Sequence, residues 1–114
     1  MIKKNTEIKI RIGIDFGKTI GLVEEEKPLK DCYSVIRFLK NNYGNENIYI
    51  ISKAREMMRI KILEWLLKNN FFEETGFLQD NLIFCNNYED KKEIVKKLSI
   101  NVFIDDHIKV IQGI

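Results

Sequence analysis

Four short apolar runs, with room for a helix between each and the next, constrain this chain more than any other feature of it. In Ile8 to Asp15, Ile10, Ile12 and Ile14 alternate with Lys9, Arg11 and Gly13 until Gly17 breaks the run, a strand pattern. Asn47 to Ser52 carries Ile48, Tyr49, Ile50 and Ile51 without interruption, as a parallel strand buried on both faces would. Leu82 to Cys85 and Asn101 to Asp105 are two more short strands. Between them lie helical patterns: one starting near Asp31 as N-cap with Val35, Ile36 and Leu39 at helical spacing, one from Ala54 to Lys68, and one from Tyr88 to Leu98. A last helix is expected after Asp106. The order β-α-β-α-β-α-β-α predicts a mainly parallel sheet with right-handed crossovers. The expected fold is therefore α/β, a three-layer α/β/α sandwich of Rossmann-like type, in one domain spanning 1–114.

The connections read as loops. Leu22 to Lys30 is acidic and holds the only proline, Pro28; Asn41 to Asn47 carries Asn and Gly turn signals. In the Ala54–Lys68 helix, Met58, Ile62, Trp65 and Leu66 form one apolar stripe, so Trp65 is expected in the core and not stacked on a ligand. Phe71, Phe72 and Phe77 close the end of that helix beside Gly76. Glu24, Glu25 and Glu26 are expected as a solvated loop that borders the site and repels anions.

Several function classes lose support. A formal net charge of +2, with basic and acidic residues interspersed, leaves no basic footprint of a nucleic-acid binder. Cys32 and Cys85 are the only cysteines and His107 the only histidine, too few for a zinc cage, and both thiols are expected reduced in the core. Met1 to Lys9 has no apolar signal region, and no apolar run approaches a membrane span, which points to a cytoplasmic chain.

In a doubly wound sheet, ligands bind beyond the carboxyl ends of the strands. There this chain places Asp15, Gly17, Lys18 and Thr19 after the first strand, Ser52 and Lys53 at the end of the second, and Asp105 and Asp106 after the last. Lys91, in the helix before that last strand, can reach back over the same edge. Two carboxylates, a hydroxyl and an ammonium suit phosphoryl chemistry. One carboxylate can attack phosphorus, a second can help hold Mg²⁺, and the hydroxyl and lysine can bind the oxygens that gain charge.

These residues carry a resemblance. IRIGIDFGKTIG resembles the first motif of the haloacid dehalogenase (HAD) superfamily, and IYIISK resembles the second. Lys91 matches the third motif, and NVFIDD resembles the acidic fourth. The likeness covers roughly residues 8–110 and is closest to a small, capless branch. It implies a Mg²⁺-dependent phosphohydrolase with Asp15 as nucleophile. Asp15, the Gly17 carbonyl and Asp105 or Asp106 would be metal ligands; Ser52 and Lys91 would bind phosphate, with Lys18, Thr19 and Lys53 beside them.

Three departures matter. The second aspartate of the first motif, normally the general acid/base, is Gly17 here. General acid–base catalysis contributes about 10²–10⁴-fold, so substrates with good leaving groups are expected, or another acid (Lys18, Lys53 or His107), or binding with little turnover. Family relatives lacking that aspartate, such as phosphonoacetaldehyde hydrolases and P-type ATPases, show that the change need not abolish chemistry. Neither Ile20 to Asn47 nor Lys53 to Lys91 has room for a cap domain, so an open site is expected. Such a site suits a phosphorylated macromolecule, or a neighbouring subunit as lid. Finally, Ile114 falls short of the last strand relatives usually add, so the sheet is small, its open edge pairs with a second copy in a homodimer, or the chain is a piece.

Two other readings compete. IGIDFGKT also resembles the first phosphate loop of the actin, sugar-kinase and heat-shock ATPase group, but a β-hairpin should follow there, and two large lobes. A non-catalytic HAD-like module that binds phosphate and Mg²⁺, or serves as a scaffold, is favoured by Gly17 and opposed by the retained Asp15, Ser52, Lys91 and Asp105.

Overall fold

Strands joined by helices pair side by side and parallel, because each helix carries the chain back to the edge where the previous strand began. In the computed structural model, which describes residues 9–17, 19–105 and 110–112, four strands do so. β1 (Ile12–Ile14) pairs with β2 (Ile48–Lys53) on one side and β4 (Val102–Ile104) on the other, and β2 pairs with β3 (Leu82–Cys85). A fifth strand, β5 (Val110–Gln112), runs antiparallel to β4, giving the order β3-β2-β1-β4-β5. Helices α1 (Cys32–Tyr43), α2 (Glu56–Lys68), the short α3 (Phe71–Thr75) and α4 (Tyr88–Lys97) fill the connections.

The uninterrupted apolar run of β2 divides between two cores, because alternate side chains point to opposite faces. Ile48 and Ile50 pack with Ile12, Ile14 and Phe16 against Cys32 and Ile36 of α1, Ile62, Trp65 and Leu66 of α2, and Phe71 of α3. Ile51 packs instead with Ile100 and Phe103, flanked by Ile94 and Val95 of α4. Trp65 is in the core as expected: its indole meets Phe16 edge-on at 5.2 Å, and its Nε1 donates to the Glu25 carbonyl at 2.6 Å. Tyr33, Phe71, Phe72 and Phe77 form an aromatic cluster. Gly76 ends α3 in a left-handed turn (φ 79°) that lets its N–H donate to the Phe72 carbonyl.

The structure corrects the expectations at five places. The first strand is only Ile12–Ile14, because Asn101 Oδ1 accepts the Arg11 N–H at 2.8 Å, a donor a longer strand would use. Asp31 does not cap α1. Its backbone is left-handed (φ 65°), outside the extended region from which a cap side chain reaches the first amides, and Ser34 Oγ donates to its carbonyl instead. Val35 faces solvent, while Cys32 and Ile36 make the buried face of α1. The five-residue α3 is additional. Where a last helix was expected, residues 110–112 form β5, which satisfies the outer hydrogen-bonding edge of β4. Residues 106–109 lie outside the described residues. No helix among those described is long and apolar enough to cross a membrane.

Candidate functional site

From β1 the sheet grows through β2 to β3, and the chain then crosses to the other side of β1 at β4. The reversal opens a crevice at the carboxyl ends of β1 and β4, where α/β sheets bind ligands. Asp15 and Asp105 stand one residue past the paired Ile14 and Ile104, and the Asp15 N–H donates to the Ile104 carbonyl at 3.0 Å. After Asp15 the chain folds back tightly. The Phe16 carbonyl accepts from the N–H groups of Thr19, Ile20 and Gly21 at 3.1, 2.9 and 3.3 Å.

Two contacts hold the Asp15 carboxylate. Oδ1 accepts the Phe16 N–H at 2.8 Å, and Oδ2 lies 3.4 Å from the Lys91 ammonium. Lys91 extends from the first turns of α4, whose N-cap Asn87 accepts the Asp90 N–H at 2.9 Å. Both partners of the ion pair are largely enclosed, with side-chain exposures of 12% for Lys91 and 24% for Asp15, so solvent screens the pair less than a surface one. The ammonium also sits 4.8 Å from the centre of the Phe103 ring.

Asp15, Gly17, Ser52, Lys53 and Lys91 line one cleft of about 280 Å³. Ser52 is buried at its wall; Lys53 is exposed, its ammonium 4.5 Å from the centre of the Tyr88 ring. Five of the residues singled out from the sequence are thus brought together. Thr19 and Asp105 do not line the cleft, and the Thr19 hydroxyl oxygen is buried without a hydrogen-bond partner among the described residues. Lys18, Asp106 and His107 lie outside the described residues. Cys85 is close by, its thiol directed at the Ser52 carbonyl (3.7 Å), and burial pushes that thiol above its ordinary value of 9.0.

No protein-family model, curated protein or solved structure matches this chain.

The cleft has a side the sequence reading missed. Leu22, Val23, Met58, Ile62 and Tyr88 contribute to its lining, and Glu24, which the sequence placed at the border of the site, stands with them. Met58 was expected in the core with Ile62, Trp65 and Leu66, but it is 40% exposed, because it sits in the first turn of α2 where the helix rises past the end of β2. Tyr88 likewise opens α4 and is 64% exposed. A usable signal existed: in βα units the first turn of each helix lies at the carboxyl edge of the sheet. Glu24, Glu25 and Glu26 are exposed, as expected of a solvated loop.

For a metal, the described residues hold no group of three or more His, Cys, Asp or Glu side chains. Asp15 and Asp105, on neighbouring strand ends, are nonetheless a hard-oxygen pair of the kind Mg²⁺ takes, since that ion commonly uses one or two carboxylates and completes its shell with water and phosphate oxygens. The donor chemistry of this pair suits such an ion, although Asp105 does not line the cleft.

Proposed function

We propose that this chain is a capless phosphohydrolase of the HAD type, a three-layer α/β/α sandwich acting in the cytoplasm on a phosphorylated substrate. The observation that carries the reading is the Asp15–Lys91 pair at 3.4 Å beside the β1/β4 crossover, with Ser52 in the same cleft. Asp15 is the nucleophile. Its Oδ1 is held by the Phe16 N–H, which leaves Oδ2 as the attacking oxygen once a phosphoryl group draws Lys91 towards its own oxygens. Lys91 and Ser52 bind the equatorial oxygens, where charge builds in the transition state.

Asp15, the Gly17 carbonyl and Asp105 or Asp106 would hold Mg²⁺, which when bound neutralises phosphate charge. The open cleft suits a macromolecular substrate or a second copy as lid. Between β1 and α1 there is no β-hairpin among the described residues, which counts against the actin-type reading.

The deciding experiment is hydrolysis of p-nitrophenyl phosphate and acetyl phosphate, with Mg²⁺ and with EDTA, by wild type and Asp15→Asn. Mg²⁺-dependent turnover lost in the variant is the expected result. A folded wild type that turns over neither compound favours the non-catalytic reading, for which the absence of an acid at Gly17 is the specific observation.

A further inference from the structure

The lining of the cleft divides by chemistry. Asp15, Ser52, Lys53 and Lys91 are ionic or polar, while Leu22, Val23, Met58, Ile62 and Tyr88 are apolar or aromatic. A phosphate ion uses only the first set. The second set is a surface for whatever the phosphate is attached to, and Tyr88 and Met58 expose enough of it to make contact. At about 280 Å³ the cleft encloses about one ring beside the phosphate. Glu24, exposed on the lining beside Glu25 and Glu26, disfavours a substrate carrying further negative charge at its outer end, as a nucleoside polyphosphate does.

An independent observation concerns the leaving group. Gly17, two residues past the attacking carboxylate, offers no side chain, and a Cβ built there meets nothing within 4 Å among the described residues. Gly17 itself therefore supplies no proton donor. With no acid at that position a group that departs without a proton is favoured, and the apolar wall favours a hydrophobic one. An alkanol, like water, leaves as a far more basic anion than a phenol, whose pKa is about 10.

We propose that the substrate is an aryl phosphate monoester, its ring against Tyr88, Met58 and Leu22 and its phosphate between Lys91 and Ser52. This rests on the phosphohydrolase reading above. Asp15 Oδ2 forms a bond to phosphorus as the phosphorus–oxygen bond to the ring breaks, and the electron pair leaves on the phenolate oxygen. Water then attacks the phosphorus of the aspartyl phosphate, restoring the carboxylate and releasing inorganic phosphate. The proton lost by the water goes to solvent, from which the phenolate takes up one.

The test has a kinetic and a binding arm. With Mg²⁺, kcat/KM for phenyl phosphate is expected to exceed that for ethyl phosphate by at least about 10²-fold, the scale of a missing acid. Tyr88→Ala should lower the phenyl-to-acetyl phosphate ratio about two- to tenfold, the range of one aromatic pair. Phenylphosphonate, which cannot be hydrolysed, should raise Tm more than methylphosphonate at equal concentration, and less so in Tyr88→Ala. A phosphotyrosine peptide supplies the same chemistry from a protein. If it outperforms phenyl phosphate tenfold the source is macromolecular, and if it does not the source is a small molecule.

Phenyl and ethyl phosphate turned over within threefold of one another would overturn the proposal while leaving an Asp15-dependent phosphohydrolase in place. Preferred binding of phenylphosphonate without turnover of any substrate would do the reverse, removing the enzyme and keeping aryl phosphate recognition. Equal binding of the two phosphonates, in a protein that turns over nothing, would remove both.

Discussion

Lys91 reaches Asp15 over the face of Phe103, and the Phe103 ring lies directly against Gly13, where a Cβ would stand 2.7 Å from the ring. Gly13 and Phe103 are register partners on β1 and β4, so the bare backbone of one strand seats the ring of the next. The ring in turn lies under the ammonium that meets Asp15. The packing of the sheet and the electrostatics of the cleft thus share a residue.

Asp15→Asn keeps the shape of the side chain and an oxygen for the Phe16 N–H, so the fold should persist while turnover falls by roughly 10³–10⁶-fold. Lys91→Ala should cost about 10²–10³-fold, the scale of one lost transition-state donor. Steady-state rates with acetyl phosphate, alongside circular dichroism, check both. An Asp15→Asn variant as active as wild type would exclude aspartyl catalysis.

Gly17→Asp places a carboxyl group near Asp15, where a Cβ meets nothing within 4 Å among the described residues. It should raise turnover of alkyl phosphates, by up to about 10²–10⁴-fold, and change acetyl phosphate hydrolysis much less, because an acyl phosphate needs little help from an acid. The comparison is a ratio of kcat/KM values. An unchanged ratio would mean that the acid is not what limits the site.

Thr19→Val exchanges a buried hydroxyl, without a hydrogen-bond partner among the described residues, for a methyl group of similar size. Removing an unsatisfied polar atom should leave Tm unchanged or raise it. A fall of several degrees would show that the hydroxyl has a partner in solution.

Gly13→Ala and Gly21→Ala each introduce a Cβ where a ring already sits, Phe103 in one case and Trp65 in the other. Overpacking of this kind costs about 1–3 kcal/mol. Denaturant midpoints measure it. Gly13→Ala should also slow turnover, through the displacement of Phe103 from beneath Lys91.

Stability should fall at alkaline pH. Burial pushes the Cys32 thiol from 9.0 up to about 11, and burial, followed by the nearby Cys32 and Glu74, pushes the Tyr33 hydroxyl from 10.0 up to about 12. Both groups are neutral in their favoured folded form. Their contribution is complete below the unfolded values and is lost as pH rises from about 9 through about 12. Cys32→Ala should flatten the lower part of that decline in Tm measured against pH.

The strands were legible because burial on both sides of a parallel sheet leaves a continuous apolar signature, which Ile48 to Ile51 displays and which the structure divides between two cores. Asp15, Gly17, Ser52, Lys53 and Lys91 were legible because a strand's carboxyl end, or the helix turn beside it, is a position along the chain. Whether such residues meet is a different matter. Strand order alone decides that β1 has β4 for a neighbour, so that Asp105 stands beside Asp15.

Met58 and Val35 show the same limit from the other side: a helical stripe gives a direction, but how far each helix overhangs the sheet decides which of its residues the core reaches. β5 depended on an open edge of β4 that no local pattern announces. By itself, the sequence determined the alternation of strands and helices and the chemistry at the strand ends, because both are carried by neighbours along the chain. Only the tertiary structure decided the Lys91–Asp15 contact and the apolar wall with Tyr88, because each depends on the distance between atoms that the chain itself leaves far apart.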